Sequence, residues 1–107
     1  MKYNVSLSPE AVSDLLEIKK YISEDLENAS AAERVIASIM SRLRQLEEFP
    51  YSGASLSAKI DVDTECRYFV CGKYLAFYIV EKTDVVVDRV LYGARDYLRT
   101  LFGELSE

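Results

Sequence analysis

A chain of 107 residues, half of them apolar, can build one hydrophobic core and is too short for two. Charged residues at 29%, with four glycines and two prolines, exclude a disordered or low-complexity chain. The net charge is −5 and histidine is absent, which removes Ser–His and Cys–His nucleophiles and deprives the usual zinc and haem sites of a ligand; no metal or cofactor is expected.

One domain over residues 1–107 is expected, and it reads as cytoplasmic. The segment Lys2-Tyr3-Asn4-Val5 has no apolar signal core, and runs such as 74–80 are far too short to span a bilayer. Residues 2–7 alternate as a strand, with Tyr3, Val5 and Leu7 on one face. Ser8-Pro9-Glu10 then caps and opens a helix whose apolar stripe is Ala11, Leu15, Ile18 and Ile22, ending near Glu27-Asn28. Ser30-Ala31-Ala32-Glu33 has the form of a capping box, with Ser30 as N-cap, for a second helix that stops at Pro50. Two amphipathic helices joined by so short a link make an αα-hairpin. Residues 50–63 read as loop.

Three strands follow, Thr64–Cys71, Tyr74–Glu81 and Val85–Tyr92, joined at Gly72-Lys73 and at Lys82-Thr83-Asp84 as an antiparallel meander. A two-residue turn at Gly72-Lys73 sets Cys71 opposite Tyr74, Phe69 opposite Ala76 and Arg67 opposite Tyr78. Tyr68, Val70, Leu75, Phe77 and Ile79 then form the face expected to pack on the helices. Arg67, Phe69, Cys71, Tyr74 and Tyr78 form the face expected to work. Residues 97–102 read as a terminal helix. The fold class is α+β, ordered β-α-α-β-β-β-α, with a meander sheet packed on the helical hairpin.

Charge is unevenly placed. Residues 1–50 hold six basic and nine acidic side chains, whereas residues 66–99 hold six basic against four acidic. Arg67, Lys73, Arg89, Arg95 and Arg99 interleave with Tyr74, Tyr78, Tyr92 and Tyr97, a mixture that suits gripping nucleic acid or anchoring a protein interface. Against a role for each stands a bland one: a solvated or ion-paired strand arginine for Arg67 and Arg89, and a helix cap for Asp96. The carboxylates Glu47-Glu48 and Asp61/Asp63 lack basic or metal-binding company and read as solvated. Cys66 and Cys71, an odd spacing apart, point to opposite faces and are expected to remain reduced.

Residues 65–78, with Glu65-Cys66-Arg67-Tyr68-Phe69-Val70-Cys71-Gly72-Lys73-Tyr74-Leu75-Ala76-Phe77-Tyr78, and residues 88–96, with Asp88-Arg89-Val90-Leu91-Tyr92-Gly93-Ala94-Arg95-Asp96, closely resemble the RelE/ParE toxin superfamily. Ser8-Pro9-Glu10-Ala11 and Phe49-Pro50 are similar too, and the resemblance runs over roughly residues 2–102. It implies the toxin half of a type II toxin–antitoxin pair of the kind tied to plasmid stabilisation, inhibiting growth and held in a hetero-oligomer by its antitoxin. The RelE branch, which cuts mRNA on the ribosome, has an Arg where this chain has Leu75 and a late Tyr where it has Leu101. The ParE branch, which blocks DNA gyrase by binding, is the closer likeness, and the acidic net charge agrees with it.

The resemblance therefore implies a binding inhibitor of gyrase, with Arg67, Tyr74, Tyr78, Arg89 and Arg95 facing the target. The alternative is an endoribonuclease with a rearranged site at Arg67, Arg89, Arg95 and Tyr97. In either case an amphipathic antitoxin segment would lie over Tyr21, Ile22 and Leu26 on the first helix and Ile36, Met40 and Leu43 on the second, although most of these must also serve the core.

Overall fold

A computed structural model describes residues 2–59 and 63–93. Arg95, Tyr97, Leu101 and the expected terminal helix lie outside the described residues. Strand β1 (Asn4–Leu7) leads into helix α1 (Pro9–Lys20). Ser8 caps α1 by accepting a hydrogen bond from the Ala11 N–H at 3.0 Å, and Pro9, lacking an N–H, occupies the first turn. α1 runs into a π-helical turn, Tyr21–Asp25, and the chain reverses with Glu27 at φ 52°. Helix α2 (Ala29–Gln45) packs back on α1, completing the expected hairpin.

The cap of α2 differs from expectation. Asn28, not Ser30, is the N-cap: its side-chain oxygen accepts from the Ala31 N–H at 3.0 Å. Asn is as good a cap as Ser, and the reversal at Glu27 places Asn28 first in line. Ser30 falls inside the helix and accepts from the Arg34 guanidinium at 3.1 Å.

The segment read as loop also holds more order than expected. Ala54–Ser55 is a two-residue strand, β2, and Leu56–Lys59 a one-turn helix, α3. Strands β3 (Arg67–Cys71), β4 (Tyr74–Glu81) and β5 (Asp84–Tyr92) form the antiparallel meander with the expected register, Cys71 opposite Tyr74, Phe69 opposite Ala76 and Arg67 opposite Tyr78. Five strands lie in the order β1-β5-β4-β3-β2, with β1 parallel to β5. A bulge shifts the β4–β5 register between Phe77 and Tyr78, so that Phe77 faces Arg89 and Tyr78 faces Val87.

The two faces of the sheet are the reverse of the expectation. Phe69, Ala76 and Tyr78, with Val85, Val87 and Val90, meet Ala11, Ile18, Ile22, Ala32, Ile39, Leu43 and Leu46 of the helices in the main core. Leu75 and Phe77, on the face assigned to the helices, instead gather with Leu56, Cys66, Tyr68 and Leu91 in a second, smaller cluster. Both faces are apolar enough to bury, so pattern alone does not decide between them; partners for Arg67 and Tyr78 do. The Arg67 Nη2 and the Tyr78 hydroxyl each find an internal partner that only the fold supplies.

Candidate functional site

Arg67 is strapped to the loop beside it. Its Nη2 donates to the Gly53 carbonyl at 2.8 Å and to the Tyr51 carbonyl at 3.2 Å, and its guanidinium lies 5.3 Å from the Tyr51 ring centre. Tyr78 is fully buried, and its hydroxyl accepts the Gly53 N–H at 2.9 Å. Glycine is required there because a Cβ would sit 2.6 Å from both the Tyr68 carbonyl and the Tyr78 hydroxyl. The expected placement of Tyr78 on a target-facing surface is thereby corrected: it is a core residue that anchors residues 51–53.

Arg89 is clamped as firmly. Its Nε and Nη2 donate to the two carboxylate oxygens of Asp14 at 2.8 and 2.9 Å, and the same carboxylate accepts the Val90 N–H at 2.9 Å. The Asp14 hydrogen bond raises the Arg89 pKa further, partly offset by burial. Asp14 was not singled out in the sequence, although a signal was there. It lies three residues after Ala11 and four before Ile18, on the buried stripe of α1, where an acid needs a partner. A third cation, Arg42, stacks over Phe69 with its guanidinium carbon 4.7 Å from the ring centre.

Tyr74 stands apart from these clamped groups. It is half-buried at the helix-side end of the sheet, edge-on to Tyr92 with ring centres 5.5 Å apart. Burial raises its pKa above the ordinary phenol range, helped by the neighbouring Tyr92 and Tyr21. Tyr21, Tyr74 and Tyr92 are shared by two adjoining hollows between the π-helical turn and the ends of β4 and β5, of about 440 and 690 Å³. Tyr21, Leu26 and Tyr92 are each more than half exposed.

Of the residues expected to meet an antitoxin, Tyr21 and Leu26 are open to solvent, Ile36 and Met40 are half-buried against the core, and Ile22 and Leu43 are buried. The latter two are corrected to core positions, because the stripe that pairs α1 with α2 consumes them. Both cysteines are free: Cys66 is buried in the smaller cluster, and Cys71 is half-buried beside the larger hollow. Among the described residues, no three His, Cys, Asp or Glu side chains gather as a metal site, and no helix is long and apolar enough to cross a membrane.

Comparison with known proteins completes the description. No curated protein matches this sequence closely enough to name as a relative. A chain of the chromosomal ParDE toxin–antitoxin system from P. aeruginosa superposes with a TM-score of 0.72 at 15% identity, covering 87% of this chain and 98% of that one. A chain of the toxin–antitoxin complex RelBE2 from Mycobacterium tuberculosis superposes with a TM-score of 0.62 at 18% identity, covering 86% and 99%. These likenesses show the fold. The family model for the ParE toxin of the type II toxin–antitoxin system parDE matches residues 5–97. The chain therefore belongs to the ParE toxin family, within the RelE/ParE superfamily of type II toxin–antitoxin toxins.

Proposed function

We propose that this chain arrests growth by holding DNA gyrase rather than by performing chemistry, and that a cognate antitoxin keeps it inactive. The observation that carries the reading is the use made of the arginines. Cleaving RNA at a ribose 2′-OH requires cations converging on a phosphate and a positioned proton donor. Arg67 is committed to two loop carbonyls, and Arg89, although it lines the 440 Å³ hollow, is committed to both oxygens of Asp14, so neither guanidinium is free to hold a phosphate. Leu75, at the position where the nuclease branch has arginine, is buried with Phe77 and Leu56. The acidic net charge of −5 also opposes docking on ribosomal RNA.

On this reading Tyr74 and Arg95 face the target, and Arg67, Tyr78 and Arg89 serve it by holding the sheet and its neighbouring loop in shape. The proteins sharing the fold are named as toxin–antitoxin assemblies, which supports an antitoxin partner here. Tyr21 and Leu26 are among the open apolar positions and are those to which it would bind. Purified chain added to gyrase is expected to stop supercoiling, with activity returning when antitoxin is added. Unchanged supercoiling at stoichiometric excess rejects gyrase as target, and new codon-linked 5′ ends in mRNA after expression would move the function to ribosome-dependent cleavage.

A further inference from the structure

The two adjoining hollows form one tyrosine groove whose ends carry opposite charge. Tyr21, Tyr74 and Tyr92 line both. In the 690 Å³ hollow, Arg34 and Lys73 are the charged lining residues among the described residues, two cations and no acid in a chain whose net charge is −5. In the 440 Å³ hollow, Asp14 and Arg89 cancel each other, which leaves Glu17 as the uncompensated charge. Arg34, Lys73 and Glu17 enter no ion pair among the described residues. Arg34 donates to the Ser30 hydroxyl, a neutral partner that does not balance its charge.

Between the charged ends lie open rings. The edge-on contact of Tyr74 with Tyr92 does not stack the two rings on each other, and Tyr92 remains 68% exposed. An exposed phenol ring is a platform for another flat ring. Both hollows fall within the range, about 300–1,000 Å³, of small-molecule sites. An aliphatic anion would meet the cations and leave the rings uncovered. A neutral aromatic would cover the rings and leave both charged ends unanswered. A molecule with an anion, a flat ring and a hydrogen-bond donor in that order answers all three.

We propose that this groove binds a mononucleotide whose base carries an exocyclic amino group, of the adenine type. The base stacks on Tyr92, the phosphate reaches Lys73 and Arg34, and the amino group donates to the Glu17 carboxylate. The proposal goes beyond the gyrase reading and does not depend on it. Tyr21 is an antitoxin position in that reading, so nucleotide and antitoxin would exclude each other there.

Titration of the full chain with adenosine monophosphate, followed by NMR, tests this. Saturable shifts are expected at the ring protons of Tyr21, Tyr74 and Tyr92. Adenosine, which lacks the phosphate, is expected to bind at least roughly tenfold more weakly. Inosine monophosphate, whose carbonyl replaces the amino group and would oppose the Glu17 carboxylate, should also lose roughly tenfold. Lys73→Ala combined with Arg34→Ala should abolish the advantage of the nucleotide over adenosine. Glu17→Gln should abolish its advantage over inosine monophosphate, because an amide can meet either group. All three side chains are exposed, so these variants keep the fold. Absence of saturation, shifts confined to other residues, or equal affinity for the three ligands overturns the proposal. Inorganic phosphate binding as tightly as the nucleotide reduces the site to a pair of cations. Single-stranded oligoadenylate binding more tightly than the mononucleotide assigns the groove to a nucleic-acid strand. Either result overturns the proposal as well.

Discussion

The two ends of β5 use their polar and aromatic groups differently. At the Asp14 end, three donors converge on one carboxylate and the sheet edge is sealed by the chain's own side chain. At the Tyr92 end, a few residues further on, aromatic rings stand half-open and the edge has no strand beside it among the described residues. The sealed end resembles a domain interior, whereas the open end keeps Tyr21 and Tyr92 more than half exposed. Arginine count alone therefore does not mark the open surface: Arg67 and Arg89 hold the fold, whereas Tyr21 and Tyr92 are more than half exposed.

Removing the acid at the sealed end should produce the largest effect. Asp14→Ala strands the Arg89 guanidinium and the Val90 N–H together. The cost is expected at about 2–3 kcal/mol, below that of a fully buried pair because the Arg89 side chain keeps 26% of its exposure. Urea unfolding of wild type, Asp14→Ala and Asp14→Asn should place the asparagine variant between the other two, since its amide oxygen can still accept the Val90 N–H. Equal midpoints for all three would show that the clamp contributes nothing and would erase the contrast between the two ends.

A second, somewhat smaller effect is expected on the far side of the sheet. Gly53→Ala forces a methyl group against the Tyr68 carbonyl, which is backbone and cannot swing aside, at a cost of about 2 kcal/mol. Tyr78→Phe leaves only the Gly53 N–H without its acceptor, for about 1 kcal/mol. Neither site touches the tyrosine groove, so antitoxin affinity should be unchanged in whatever fraction remains folded. A loss of affinity in Tyr78→Phe, measured well below its melting temperature, would mean that the loop at 51–53 takes part in binding after all.

Much of this architecture is legible in the sequence because it depends on local rules. The Ser8-Pro9 helix start, the hairpin of two amphipathic helices and the Gly72-Lys73 turn each follow from a few neighbouring residues, and the turn alone sets the β3–β4 register. What escaped reading depends on contacts distant in sequence. Which face of the sheet meets the helices is decided by whether Arg67 and Tyr78 find partners, and those partners lie in a glycine-containing loop 14 and 25 residues away. Asp14 and Arg89 are 75 residues apart. The β2 strand is two residues long and gains its identity only by pairing with Arg67 and Tyr68. The groove was legible in part, since Tyr21, Leu26, Tyr74 and Tyr92 were visible as apolar or aromatic positions, but not the π-helical turn that helps bring them together.

The smallest effect uses the two cysteines as reporters of closed and open regions. Burial, reinforced by the charge of Asp88, pushes the Cys66 thiol from 9.0 up to about 11, so the native state keeps it protonated where the unfolded chain does not. Above about pH 9 the unfolded state binds fewer protons than the native state, so this contribution, fully present at lower pH, is lost as pH rises from 9 towards 11. At pH 10 the loss should be about 1 kcal/mol. Tyrosines titrate in the same range, so the quantity to measure is the difference in pH slope between wild type and Cys66→Ala, in which shared ionisations and any pH-independent packing cost cancel. Labelling at pH 8 supplies the matching contrast: Cys71, half-buried beside the open groove, should react with a disulfide reagent while Cys66 waits for unfolding. Parallel slopes in the two proteins, together with equal labelling rates at the two thiols, would show the smaller cluster to be as open as the groove.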